Sequence, residues 1–109
     1  MEPRSVWVVA DANGHELAEG LSRQLHYFGF QVFQLCWDCA LPQAEAPLAV
    51  LFVPSHTVAQ PKDLARIEQV RAACPASQLF FLGVRSEIDP IVGLMRAGID
   101  VTIPADEQS

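Results

Sequence analysis

The chain has 109 residues, enough for a single domain over 1–109, and half of them are hydrophobic, which fills a core and excludes a disordered chain. Its formal net charge is −6 and Lys62 is its only lysine, so the basic surface that nucleic-acid binding requires is missing. No apolar run reaches the ~18 residues of a membrane span, no apolar leader precedes a small-residue cleavage site, and the three cysteines cannot all pair within one chain; together these predict a cytoplasmic protein with reduced thiols.

The first predicted strand is Val6–Ala10, apolar without alternation and so covered on both faces. Asp11, Asn13 and Gly14 interrupt it, and either polar side chain suits a helix cap. Leu17, Leu21, Leu25 and Phe28 then form one apolar stripe on a helix from Gly14 to Phe28, which Gly29 ends. Gln31–Leu35 alternates, as an edge strand with one exposed face does. Between Cys36 and Pro47, two prolines leave room for a short helix at best. Leu48–Val53 is a third, fully apolar strand, followed by a loop from Pro54 to Pro61. Leu64, Ile67 and Val70 mark a helix ending near Ala73. Leu79–Leu82 is a fourth strand, stopped by Gly83. Asp89 as cap and Pro90 in the first turn open a last helix, with Ile91, Leu94 and Met95 on its apolar side and Gly98 at its end. Val101–Ile103 is a fifth strand, ended by Pro104, and 105–109 form a polar tail.

Strands alternating with helices make βαβ units with right-handed crossovers. The expected architecture is an α/β three-layer sandwich, a five-stranded parallel sheet in the flavodoxin-like order 2-1-3-4-5.

Several residue groups have chemical potential. Cys36-Trp37-Asp38-Cys39 is a C-x-x-C, which serves as structural thiols, a redox pair or half of a zinc site. It follows a strand, as thioredoxin-type pairs do, but no periodic helix follows it. Zinc needs two further ligands, and Cys74, His15, His26 and His56 form no second pair at ligand spacing. Asp11-Ala12-Asn13-Gly14 stands where a dinucleotide fold places its glycine fingerprint, but holds one glycine only. Ser55, His56 and Thr57 lie after the third strand, where α/β folds bind ligands; without a nucleophile elbow they read as a solvated loop.

Four segments in this order resemble the receiver domain of bacterial response regulators. Val6–Asp11 is similar to the first receiver strand, which runs into a pair of acids. Gly29-Phe30-Gln31-Val32 resembles the step into the second strand, and Pro47–Val53 the third strand. Arg96-Ala97-Gly98-Ile99-Asp100-Val101-Thr102-Ile103-Pro104 resembles the passage through the last strand into the loop beyond it. The resemblance spans residues 5 to 106. It implies a CheY-like fold in which acids after the first strand hold Mg²⁺ and an aspartate ending the third strand accepts a phosphoryl group. It also implies a Ser or Thr after the fourth strand and a Lys after the fifth, both contacting the phosphate.

The chain departs from this pattern at almost every position. Asp11 remains, but Ala10 and Ala12 flank it, so Asp11 is a remnant of the acidic pocket and reads as a helix-capping residue. The acceptor position falls on Val53. The Ser/Thr position falls on Gly83. The lysine position falls on Ala105, or on Ile103 or Pro104 if the register slips. The resemblance therefore implies a pseudo-receiver inert to phosphodonors, with no catalytic residue, metal or cofactor. A ligand or redox sensor using the strand ends or Cys36 and Cys39 is the alternative.

Receivers signal through a face built from their last two helices and last strand, usually by dimerising. Here Ile91, Leu94, Met95, Val101 and Ile103 are its expected residues. Ser109 follows soon after the fifth strand, where receivers have a fifth helix. The resemblance so implies a missing helix, an N-terminal part of a longer regulator, and bare apolar sheet that drives homodimerisation. The Arg96–Pro104 stretch resembles receivers placed before diguanylate cyclase (GGDEF) domains, which implies control of cyclic-di-GMP synthesis by an attached output domain.

Overall fold

Apolar runs too short for helices and too uniform for exposed strands become the centre of the molecule. The computed structural model describes residues 4–11, 14–42, 46–54, 61–84 and 88–104. In chain order these form β1 (Ser5–Ala10), α1 (His15–Tyr27), β2 (Gln31–Cys36), β3 (Ala49–Val53), α2 (Pro61–Ala73), β4 (Gln78–Val84), α3 (Ile88–Ala97) and β5 (Val101–Pro104). The sheet order is β2-β1-β3-β4-β5, with every neighbouring pair parallel. This is the flavodoxin-like arrangement that the alternation of elements predicts. Among the described residues no helix is long and apolar enough to cross a membrane.

Each face of the sheet has its own core. Trp7, Val9, Val50, Phe52, Leu79 and Phe81 project to one side, where Ile67 and Val70 of α2 and Leu94 of α3 bury them. Val6, Val8, Ala10 and Val53 project to the other, beneath Ala18 of α1. The second face is covered unevenly, because α1 packs on β1 and β2. Val8, Leu51, Phe80 and Val101 are register partners in one row across four strands. Val8 is fully buried and Leu51 and Phe80 are half-buried, while Val101 is 38% exposed and Ile103 beside it 41%.

Local differences from the expected elements have physical reasons. The buried side of α1 is Ala18 and Ser22, with Leu21 and Leu25 packed alongside. Half of the expected stripe meets the sheet: Leu21 and Leu25 pack there, whereas Leu17 and Phe28 are exposed, and Phe28 meets Tyr27 edge to face. A four-residue step rotates around the helix, and the sheet takes the positions at three- and four-residue spacing together. β4 does not stop at Gly83. It continues to Val84 across a register shift between Leu82 and Val84, so this glycine marks an irregularity in the ladder rather than its end. α3 begins at Ile88, which places Asp89 and Pro90 in its first turn, where a missing N–H costs no helical bond.

The Arg96–Pro104 stretch is a structural lock. Gly98 ends α3 with φ +129°, a conformation that suits glycine. A Cβ there would lie 2.9 Å from Cβ and Cγ of Arg71. Arg71 donates from Nε and Nη2 to the Gly98 carbonyl (3.2 and 2.7 Å) and from Nη2 to Asp100 Oδ2 (2.7 Å). Its Nη1 donates to the carbonyls of Cys74, Pro75 and Ser77. Asp100 Oδ2 also accepts the Leu79 N–H at 2.9 Å. One guanidinium thus holds the α2–β4 and α3–β5 turns together. Arg71→Met strands several carbonyls at once, and we expect a loss of about 2–3 kcal/mol in urea-induced unfolding. Gly98→Ala meets both the backbone strain and the Arg71 side chain, and is expected to cost at least ~1 kcal/mol in the same measurement.

Candidate functional site at the carboxyl edge of the sheet

Parallel α/β sheets place ligands at the carboxyl ends of their strands, so the chemistry to be tested lies after β1 and β3. Ala10 and Val53 are register partners at those ends, and Asp11 follows directly. The Gly14 N–H is shared between the Asp11 carbonyl (3.0 Å) and Asp11 Oδ1 (3.1 Å). Asp11 so shapes the turn into α1, whose N-cap residue is Gly14.

Gly14 is there because nothing larger fits. A Cβ on it would lie 2.7 Å from the Val53 carbonyl oxygen, 3.3 Å from Val53 Cγ1 and 3.5 Å from Asp11 Oδ1. The start of α1 therefore rests on the end of β3, and Val53 is 1% exposed beneath it. The end of β3 beneath the start of α1 is therefore filled by the Val53 side chain. Mg²⁺ takes hard oxygen ligands in a near-octahedral set. Asp11 supplies a carboxylate here and Val53 none, and among the described residues no group of three His, Cys, Asp or Glu side chains is placed to hold a metal. The described residues at this edge do not make up that ligand set. Gly83 lies within β4 and offers no hydroxyl. Ala105 and the Ser55-His56-Thr57 loop lie outside the described residues.

Open space at this edge lies beside β1 and β2. A cleft of about 440 Å³ runs between α1 and the ends of β1 and β2, lined among others by Asp11, His15, Gln34, Cys36, Trp37 and Asp38.

On the rim of that cleft, the expectation of reduced thiols is corrected. Cys36 and Cys39 form a disulfide with Cα atoms 5.2 Å apart, within the ordinary bridging range. The reason is the tight turn that leaves β2, in which the Cys39 N–H bonds the Cys36 carbonyl at 3.4 Å. Arg66 of α2 reinforces it by donating from Nη2 to the Cys39 carbonyl (2.7 Å) and the Cys36 carbonyl (3.3 Å), while Nη1 holds Gln69 (2.7 Å). Burial lowers the Arg66 pKa and the nearby Asp38 carboxylate opposes that shift. Trp37 between the cysteines is buried and packs edge to face on Phe52 at 5.9 Å. Arg66 carried no motif in the sequence, and its one signal is a charge next to the buried Ile67 on the stripe of α2. The third cysteine, Cys74, is a free buried thiol whose pKa is pushed up by burial, against smaller opposing effects of Ser77 and Arg71.

The expected interaction face is split. Met95, Val101 and Ile103 are exposed. Leu94 is corrected: it is fully buried in the core under α3, because it lies on the side of the helix that meets the sheet. The side chain of Ile91 lies outside those described.

Comparison with known proteins was made on this geometry. No protein family and no curated protein matches the sequence. Solved structures do match, among them a response regulator from Burkholderia pseudomallei with a phosphorylated aspartic acid, a calcium ion and citrate. It superposes with a TM-score of 0.74 at 17% identity, over 96% of this chain and 61% of its own length. The chain has the receiver fold. The carboxyl edge of this receiver fold nonetheless has a valine at the end of β3.

Three measurements check this account. Gly14→Ala forces a methyl onto the Val53 carbonyl and is expected to cost about 1–3 kcal/mol in urea-induced unfolding. Cys74 should resist a thiol reagent until the protein unfolds. Its unfolded thiol titrates near 9.0 and its folded one higher, so the stability it contributes is complete below that pH and lost above it. Cys74→Ala should remove this part of the alkaline loss, read from midpoints measured across that range.

Proposed function

We propose that the chain is a phosphorylation-independent pseudo-receiver, an interaction and dimerisation module of a two-component-type signalling protein that performs no catalytic step of its own. The observation that carries this reading is Val53, buried beneath Gly14 at the position from which the fold would present its phosphoacceptor. A hydrocarbon side chain forms no acyl phosphate, and Val53 brings no oxygen ligand for magnesium beside Asp11. What is left for the fold to use is its surface.

That surface supports pairing with a second copy. Val92 and Met95 on α3 and Val101 and Ile103 on β5 are exposed, and the row from Leu51 through Phe80 to Val101 carries apolar side chains to the sheet edge. Apolar area of this kind is stabilised when a partner covers it. Each copy has a net charge of −6, so association has to overcome mutual repulsion and strengthens as salt screens it. The likeness of Arg96–Pro104 to receivers placed before diguanylate cyclase domains points to cyclic-di-GMP synthesis as the controlled output, with the module bringing two output domains together.

Incubation with radiolabelled acetyl phosphate and Mg²⁺ should leave the domain unlabelled; stoichiometric acid-stable or base-labile labelling would contradict the reading. In light scattering, the wild type should dimerise more tightly at high than at low ionic strength, and Ile103→Asp should be monomeric with its fold intact by circular dichroism. A wild type that stays monomeric at every salt and protein concentration would remove the dimer from the proposal.

A further inference from the structure

We propose that Cys36 and Cys39 form a reversible dithiol–disulfide site, reduced by a dithiol of the thioredoxin chemical class, and that Arg66 of α2 reads its state. The inference does not depend on Val53 or on dimerisation. It rests on two separate observations: an exposed disulfide, and a buried cation bound to the backbone of both of its cysteines.

Both cysteines are exposed at the end of an edge strand. Exposed disulfides are the reducible, regulatory kind, whereas buried ones serve as static links. The bridge closes a turn with a sequence separation of 3, too short for it to restrain the unfolded chain as a long-loop crosslink does. Cys74, the remaining cysteine, is buried and its thiol is held protonated, so it does not compete in exchange.

Arg66 gives the site a way to be felt elsewhere. It lies 27 residues from Cys39 and 30 from Cys36 in sequence, yet its Nη2 donates to both of their carbonyls. With the sulfurs bonded, the turn presents the two carbonyls to one nitrogen. With them separate, the turn is free to open, and the buried guanidinium loses acceptors it needs. Trp37 lies between the cysteines on Phe52, which stacks in turn on Phe81 at 6.4 Å, so the same movement reaches the core under α2.

The exchange balances without another reagent. A thiolate of the reductant attacks one sulfur; the Cys36–Cys39 bond breaks, a mixed disulfide forms, and the other cysteine leaves as a thiolate that takes up a proton. The second thiol of the reductant then attacks the mixed disulfide. The first cysteine is released and protonated, and the reductant departs as its own disulfide. Two electrons and two protons have passed to the protein.

The test is equilibration of the full chain in graded mixtures of reduced and oxidised dithiothreitol, followed by maleimide trapping, mass measurement and tryptophan emission. The expected result is a reversible passage between no tag and two tags, with the emission changing in step. Arg66→Lys keeps the charge but not the fork, and should shift the exchange constant toward the dithiol by roughly tenfold, the effect of losing a charged hydrogen bond. Cys36→Ser/Cys39→Ser should abolish both the tags and the emission change. The proposal is overturned if the folded protein takes up no tag in fully reduced dithiothreitol, if two tags are taken up in fully oxidised dithiothreitol, or if Arg66→Lys leaves the exchange constant unmoved while the variant remains folded.

Discussion

The contact between Gly14 and the Val53 carbonyl sets the character of this molecule. In a parallel sheet the carboxyl ends of the strands are where loops diverge and leave a crevice. Here the turn out of β1 drops α1 directly onto the end of β3, so closely that a single methyl would collide with the backbone. Asp11 is drawn into the same turn through the Gly14 N–H. Asp11 therefore helps to shape the helix start, and the neighbouring strand ends on a buried valine. Usable space moves toward β2, where it is bounded by the C-x-x-C turn.

α2 is the second organising element, and it works through two arginines at opposite ends of the sheet. Arg66 gathers the carbonyls of the turn after β2, and Arg71 gathers those of the turns that precede β4 and β5. Between them, Ile67 and Val70 fill the core. Loops have few apolar contacts of their own, and their backbone oxygens need partners when water is excluded. A guanidinium, with five donors in a fixed plane, can serve several such oxygens at once. The helix thereby ties the edge that bears the disulfide to the edge from which β5 and its exposed valine and isoleucine start.

Sequence reading recovered the sheet order because each strand is a bounded apolar run and each crossover has one hand. It also put Val53 in the third strand, and β3 does end at that residue. It failed where the answer depends on which side of an element meets its neighbour. Leu17 and Leu94 are both leucines on amphipathic helices, yet one is exposed and the other fully buried. It could not see the roles of Arg66 or Arg71, whose acceptors are mostly backbone carbonyls, 27 and 30 residues distant in the most telling cases, and carry no residue signature. The bond between Cys36 and Cys39, where reduced thiols were expected, was missed for a similar reason: what favours closure is a turn braced from another helix, not the spacing alone.

The central proposal is that Val53, lying beneath Gly14 at the end of β3, leaves this edge without a phosphoryl acceptor and its metal. Amide chemical shifts recorded while Mg²⁺ and then beryllofluoride are added test it at the atoms concerned. The account predicts that the resonances of Asp11, Gly14 and Val53 stay where they are throughout the titration. Saturable movement of those three, strongest when both additions are present, would show a working acidic pocket and contradict it.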